Sequence, residues 1–523
     1  METLLHYFST ANSKDLSLHP LVQHLKTGVK QLITNYPFPS SFSHVGLIFI
    51  FFLTSMETSN PHAVIVSSPG VGHLVCDLEL GHRLVSDHNL HVTFFVVVES
   101  NSSAGESELV QSARTRKLLD IIELPPVDIS SQVEPNAPIF TRLTTVMREI
   151  RPTLSSAISD LKLSPTALIV DIFGTPALDV ADEFHMLKYV FVTSAWPLAL
   201  ILYAPILDKE VEGEYVVQKQ PLRLPGCMPV RPEDVVDPLL NRTKHEYSVF
   251  LQVGLEMRQS DGLLVNTWED LDTPTLKAMR EEEGYGSVPV YAVGPLIKPV
   301  KPLSTRSGLL DWLDEQPVES VIYISFGSAG VLSAQQITEL AWALELSQQR
   351  FIWVLRPPSK HKGCSDVLAY LPDGFLDRTQ NLGLVVTQWA PQAEILGHGS
   401  IGGFLSHCGW NSSLESILNG VPMIAWPLYA EQKMNATKLA EELGVAVRPK
   451  IAPTKGIVGR EEIEMMVRKV MAEQEGKAMR DRVKELKNSG EKAWNEGGSS
   501  FNALAQLVKQ CELNSERQKV KAP

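Results

Sequence analysis

Cysteine is scarce: Cys76, Cys227, Cys364, Cys408 and Cys511 are the only five in 523 residues, widely spaced and with no CxxC pair. That pattern excludes a disulfide scaffold and a zinc ribbon and fits a reducing compartment, so a cytoplasmic location is expected. Positive charge is also in deficit. Lys plus Arg number 47 against 60 Asp plus Glu, a net charge of −13, which is the wrong sign for a generic binder of the nucleic-acid backbone. An anionic ligand must therefore be held by local donors and helix N-termini, not by the field of the whole molecule. Long hydrophobic runs are missing too. Residues 45–53 (VGLIFIFFL) form the one membrane-like stretch, about half of the ~20 residues that a spanning helix needs. It follows a polar leader too long for a secretory signal, and no integral membrane span is expected. Four N-x-S/T triplets, starting at Asn101, Asn241, Asn411 and Asn435, matter only in a secreted chain.

What is present is ordinary globular composition, 44% hydrophobic and 20% charged, in a length that suits two large domains or about three of ~150 residues. From Ala63 onward, apolar β-rich runs alternate with amphipathic segments, the mark of a parallel sheet wrapped by helices. AVIVS (from Ala63), HVTFFVVV (from His91), ALIVD (from Ala167), YVFVT (from Tyr189), LLVNT (from Leu263) and VYAVG (from Val290) read as strands of a first α/β domain. The proline-rich stretch 294–308 reads as a linker. The alternation then restarts with SVIYISFGS (from Ser320), a helix from Gln335 to Leu346, FIWVL (from Phe351), LVVTQW (from Leu384), GGFLSH (from Gly402) and PMIAWP (from Pro422). Two doubly wound domains are expected to face a cleft at the carboxyl ends of their strands. The division is 1–55 an atypical extension, 56–300 the N-terminal domain, and 301–523 the C-terminal domain with closing helices. The basic tail after Glu512 should fray.

Residues 397–402 match GxGxxG, yet a helix-like segment precedes them and a strand-like one follows, the reverse of a dinucleotide site. The glycines there read as a helix cap and a tight turn. Residues 403–413 have the productive order: strand, the turn His407-Cys408-Gly409-Trp410, then a helix opening at Asn411-Ser412-Ser413. Free N–H groups at that helix start would face a diphosphate. A ligand-free alternative stands beside it, because Ser412-x-x-Glu415 is also a capping box. Asp270-Leu271-Asp272 resembles a DxD metal motif but falls near a helix start, where Asp is favoured anyway, and no metal is expected. His82, His88 and His91 read as solvated. His73, in a Gly-rich turn, is on its own a modest candidate for chemistry.

Residues 389–432 (WAPQAEILGHGSIGGFLSHCGWNSSLESILNGVPMIAWPLYAEQ) closely resemble the signature box of plant secondary-product UDP-glycosyltransferases, and the likeness runs from about Pro61 to Cys511. LYAEQKMNA, PTALIVDIFG and GLLVNTWE are similar to the subgroup acting on hydroquinone and coniferyl alcohol. The resemblance implies an α/β protein of GT-B fold and an inverting glucosyltransferase using UDP-glucose as co-substrate, with no cofactor, on a phenol or phenylpropanoid. A flavonoid, anthocyanidin or terpenoid acceptor is the alternative, and a non-catalytic UDP-sugar binder the competing class. It further implies that Trp389 stacks on the uracil while Ala390 and Gln392 contact the nucleoside. Glu415 would bind the ribose, and Ser328, His407, Asn411 and Ser412 the phosphates. Trp410, Glu431 and Gln432 would contact the sugar, Gln432 in the position associated with glucose. His73 of Pro69-Gly70-Val71-Gly72-His73 would be the base and Asp171 its partner, with Ser68 and Gly72 close to the acceptor. A monomer without nucleic-acid partners is expected. Cys76 stands where the family has proline, in what should be the first turn of a helix, a change bearing on stability or acceptor fit. Because the likeness begins near Pro61 and Met56 looks like an ordinary start, residues 1–55 are expected to be dispensable.

Overall fold

The computed structural model describes residues 61–98, 104–116, 119–134, 136–297, 308–358 and 367–521. The extension 1–55, the apolar run 45–53, Cys364 and most of the linker lie outside the described residues. Strands β1 (His62–Ser67), β2 (His91–Val97), β3 (Asp120–Leu124), β4 (Ala167–Asp171), β5 (Leu187–Val192), β6 (Gly262–Val265) and β7 (Val290–Ala292) pair in parallel in the order β3-β2-β1-β4-β5-β6-β7. A second parallel sheet holds β8 (Val321–Ser325), β9 (Arg350–Val354), β10 (Gly383–Val386), β11 (Ile401–Ser406), β12 (Met423–Ala425) and β13 (Ala446–Val447), ordered β10-β9-β8-β11-β12-β13. This is the GT-B pair of Rossmann-like sheets.

Both faces of each sheet are covered, which explains the continuous apolar runs. Along β1, Ala63 and Ile65 enter one core while Val64 and Val66 enter the other, and along β8 Val321 and Tyr323 part from Ile322 and Ile324 in the same way. Each sheet reverses its winding direction once. The reversals fall between β1 and β4 and between β8 and β11, the places where an open parallel sheet leaves a crevice at its carboxyl ends.

Four helices bear on the site: α1 (Val71–Ser86) after β1, α2 (Trp410–Leu418) after β11, α3 (Gln432–Thr437), and the C-terminal α4 (Ser499–Lys521). The last departs from expectation twice. It packs Leu504, Leu507 and Cys511 into the core under β1 and β4, so the chain's end completes the first sheet. Instead of fraying after Glu512, it is held there by Asn514 and Gln518, whose amides donate to the carbonyls of His185, Thr166 and Phe184. Cys76 also sits one turn later than expected. The helix begins at Val71, and the buried thiol of Cys76 donates to the carbonyls of Gly72 and His73, both at 3.3 Å. The histidines read as solvated are engaged: His82 is buried 3.7 Å from Glu79, His88 packs on Phe501, and His91 meets Asp120 at 3.3 Å. The GxGxxG glycines behave as read, with Gly397 capping the helix Gln392–Leu396 ahead of β11. Among the described residues no helix is long and apolar enough to cross a membrane.

Candidate active site

At the first reversal, β1 runs into the turn that starts α1 and β4 ends at Asp171, which brings the proposed base and its partner together. His73 Nδ1 lies 3.2 Å from Asp171 Oδ2. Asp171 is fixed from its other side, because it caps the short 3-10 helix Ile172–Ala177 and its Oδ1 accepts from the N–H groups of Phe173 (3.2 Å) and Gly174 (3.0 Å). Phe173 then packs edge-on to the His73 ring, 4.9 Å between centroids. With Nδ1 facing the carboxylate, Nε2 is the nitrogen left for a reacting hydroxyl. Burial opposes ionisation of the His73 ring, but the hydrogen bond and charge of Asp171 outweigh it and raise the ring above its ordinary value.

Ser68 lies elsewhere than expected. Its side chain is 2% exposed and donates to Asp171 Oδ2, so it braces the dyad and does not line an acceptor surface. Gly72 is exposed as expected, with open space where a Cβ would stand. A residue of α1 escaped sequence reasoning. Asp77, one turn past His73 on α1, is buried, and its Oδ2 has no hydrogen-bond partner among the described residues. Burial first, then the charge of Asp171, push it up to about 8. A raised carboxyl and a raised histidine side by side mark a site arranged for proton transfer.

At the second reversal, β11 ends at Ser406 and α2 starts at Trp410. No side chain caps α2, which answers the capping-box alternative. Ser412 Oγ and Glu415 Oε2 instead accept from the amide of Gln392, at 3.0 and 2.7 Å, and so share one polar corner with it. Trp389, at the end of the segment after β10, is 68% exposed, a broad apolar face suited to a flat base. Ala390, its neighbour, is buried.

His407 is buried and its Nδ1 has no hydrogen-bond partner among the described residues. Burial, assisted by the charge of Arg356, pushes it down to about 4, so it is a neutral imidazole with an unused polar atom beside the helix start. The fit around it is tight: a Cβ on Gly327 would meet His407 Nε2 at 2.5 Å, and Gly327 has φ +73° besides. Ser328 follows in the same loop, and its carbonyl accepts from the guanidinium of Arg356. Among the described residues Arg356 has no carboxylate partner. Its position at the carboxyl end of β9, next to the reversal, was the available signal. Asn411 reaches across to the first half, its amide donating to the Gly72 carbonyl at 2.7 Å, which sets the start of α2 against the turn that bears His73.

Glu431 and Gln432 open α3 nearby. Burial raises the Glu431 carboxyl above its usual range against the opposing charge of His73, so the two halves meet electrostatically as well. Trp410 differs from expectation: its indole is 2% exposed and donates to the Asn266 carbonyl at 2.9 Å, leaving only its main chain for a ligand. Asp272 of the DxD triplet is engaged inside the protein, accepting from Lys438 Nζ at 2.6 Å and from the Thr267 hydroxyl at 2.5 Å.

Residues 281–480 match the family model described as UDP-glucoronosyl and UDP-glucosyl transferase. The chain is 54% identical over 475 residues to anthocyanidin 3-O-glucosyltransferase 5 of Manihot esculenta, covering 88% of this chain and 97% of that one. It is 43% identical over 462 residues to hydroquinone glucosyltransferase of Rauvolfia serpentina, covering 86% and 97%. Among solved structures, TcCGT1 in complex with UDP matches with a TM-score of 0.82 at 48% identity, over 87% of this chain and 100% of that one.

Proposed function

The chain belongs to the family of UDP-glucuronosyl and UDP-glucosyl transferases and is a UDP-glycosyltransferase, and from that premise we propose that it moves glucose, with inversion, from UDP-glucose to a phenolic hydroxyl. The observation that carries this reading is the apposition of an Asp171-oriented His73 with the start of α2, joined by the Asn411 to Gly72 hydrogen bond.

In this reading Trp389, Ala390, Gln392 and Glu415 hold the uridine. The N–H groups at the start of α2, with His407, Asn411, Ser412, Ser328 and Arg356, hold the diphosphate. Glu431 and Gln432 hold the sugar. His73 Nε2 accepts the phenol's proton as the phenol oxygen forms its bond to the anomeric carbon from the face opposite UDP. The bond from that carbon to the diphosphate oxygen breaks, UDP leaves with the electron pair, and the donors around it stabilise the charge. No metal ion is invoked, a choice supported by the commitment of Asp272 to Lys438. Action in a reducing, cytoplasmic setting is supported by the four described cysteines, all unpaired.

A phenol suits this base. Its pKa of ~10 is far closer to that of a histidine (~6.5) than an aliphatic alcohol's is. The relatives' names carry both a simple hydroxybenzene, the class proposed, and an anthocyanidin, the alternative, the second in the relative of higher identity. Purified enzyme given UDP-glucose and a panel of hydroquinone, coniferyl alcohol, an anthocyanidin and a terpenoid alcohol tests the reading. Acceptor-dependent UDP release with a hexose mass added to a phenol is the expected result. Turnover confined to the terpenoid alcohol refutes the phenolic acceptor, and no acceptor-dependent release on any of the panel refutes the enzyme.

A further inference from the structure

The loop ahead of α3 carries a backbone cost. Ala430 has φ +55°, a left-handed conformation that burdens any residue with a Cβ, and it directly precedes Glu431 and Gln432. The loop is closed from within, since Gln432 Oε1 accepts from the N–H groups of Leu428 (2.9 Å) and Tyr429 (3.1 Å). Those bonds leave the Ala430 N–H unaccounted for. Its partner comes from the other half of the molecule: Asp237, in the segment between β5 and β6, accepts it at Oδ2 at 2.6 Å. Oδ1 of the same carboxylate accepts from Lys433 Nζ at 3.0 Å, and the lysine side chain is only 8% exposed.

Three residues earlier, the buried Asp234 holds the far end of α3 through the Thr437 hydroxyl (2.9 Å) and Arg448 (2.9 Å to each guanidinium nitrogen). One acidic segment thus pins both ends of the helix that opens with Glu431 and Gln432. Repulsion from Asp237 contributes to the raised Glu431 and Glu246 carboxyls, but its direct contacts are with the main chain of the loop and with Lys433. With one oxygen on the Ala430 N–H of the loop and the other on Lys433 in the first turn of α3, the carboxylate acts through geometry.

We propose that Asp237 is a positioning residue for sugar recognition: across the domain interface it holds Ala430 in its left-handed conformation, and so sets Glu431 and Gln432 for the hexose of the donor. This rests on the reading of Glu431 and Gln432 as sugar contacts. It predicts that interactions with the hexose depend on Asp237 while those with the nucleotide do not.

The test uses full-length Asp237→Ala, Asp237→Asn, Ala430→Gly in the Asp237→Ala background, and Gln432→Ala. For Asp237→Ala, kcat/KM for UDP-glucose should fall about tenfold, the scale of one lost charge-assisted hydrogen bond, while the inhibition constant of UDP, which lacks the hexose, holds. Asp237→Asn retains an acceptor for the Ala430 N–H and should keep most of the rate. Should Asp237→Ala fail to fold, Asp237→Asn set against Asp237→Leu decides on the same two readouts. A glycine in place of Ala430 takes a positive φ without steric cost, so the double variant should recover most of the loss. An unchanged kcat/KM in Asp237→Ala, an equal rise in the UDP inhibition constant, or no recovery on adding Ala430→Gly each overturns the proposal. Gln432→Ala separates the two layers. If it leaves kcat/KM for UDP-glucose unaltered, the sugar-site reading itself has failed, whereas a loss there with none in Asp237→Ala refutes Asp237 alone.

Discussion

The two sheets share one topology and place a histidine at the same kind of reversal, yet the two histidines are tuned in opposite directions. His73 is raised because a carboxylate, itself held by two backbone N–H groups and a serine, sits against its ring. His407 is lowered to about 4 because it is buried with no carboxylate and a guanidinium nearby. One site is equipped to gain a proton during a reaction, the other to present a neutral donor to an anion without changing charge. A net charge of −13 leaves a diphosphate no help from the protein as a whole, so in the proposed reading the second sheet's local donors carry it.

The largest effect should come from removing the proton acceptor. His73→Ala should lower turnover on a phenol by ~10² to 10⁴. UDP should still bind, since the contacts proposed for it lie on the second sheet, and calorimetry alongside steady-state rates checks both halves of the statement. Near-normal turnover in this variant would remove His73 from the mechanism.

Asp171→Asn should cost less, about 10²-fold, because the imidazole remains but loses the group that orients it and stabilises its cation. The pH profile is the sharper readout. Asp171 raises His73, so the wild-type kcat/KM should fall on acidification through a value above the ordinary ~6.5. Without the carboxylate, burial dominates and the acid limb should move to lower pH. A limb that stays in place would mean that Asp77, or another group, sets it.

How much of this was legible beforehand follows from the range over which each feature is determined. Central strands such as β1, β4, β8 and β11 stand out because burial on both faces demands an unbroken apolar run. Two strands left no such trace: β3, DIIEL, lies half-exposed at a sheet edge, and β13 is two residues long. His73 and Asp171 are paired through the family resemblance, and strand order adds only that both fall at carboxyl ends facing the reversal. Ser68, Trp410 and Asp77 could not be assigned so, since whether a side chain turns to the cleft or the core depends on packing from distant segments. Trp410 is fixed by the carbonyl of Asn266, and α4 docks on strands that precede it by hundreds of residues.

Glu415 offers an intermediate test on the donor side. Glu415→Ala should raise KM for UDP-glucose by tenfold or more, on the order of one or two charge-assisted hydrogen bonds to ribose, with little change in KM for the phenol. Helix α2 has no side-chain cap to lose, so thermal stability should change little. A variant with a markedly lower melting temperature and unaltered donor KM would return Glu415 to a structural role.

The smallest effect tests the contrast most directly. If His407 meets the diphosphate as a neutral imidazole, exchange for another neutral donor should cost only what one uncharged hydrogen bond is worth, so His407→Gln should raise KM for UDP-glucose about two- to tenfold. The KM should also be flat between about pH 5.5 and 8 in the wild type as far as this residue is concerned, since a ring held near 4 stays neutral throughout that window. Alanine should do worse than glutamine, because it leaves the diphosphate one donor short in a buried corner. Titration of His407 by NMR locates the ring independently of kinetics. A midpoint near the ordinary ~6.5, with donor affinity weakening as the ring loses its proton, would make His407 a cationic ligand and erase the distinction between the two sheet ends.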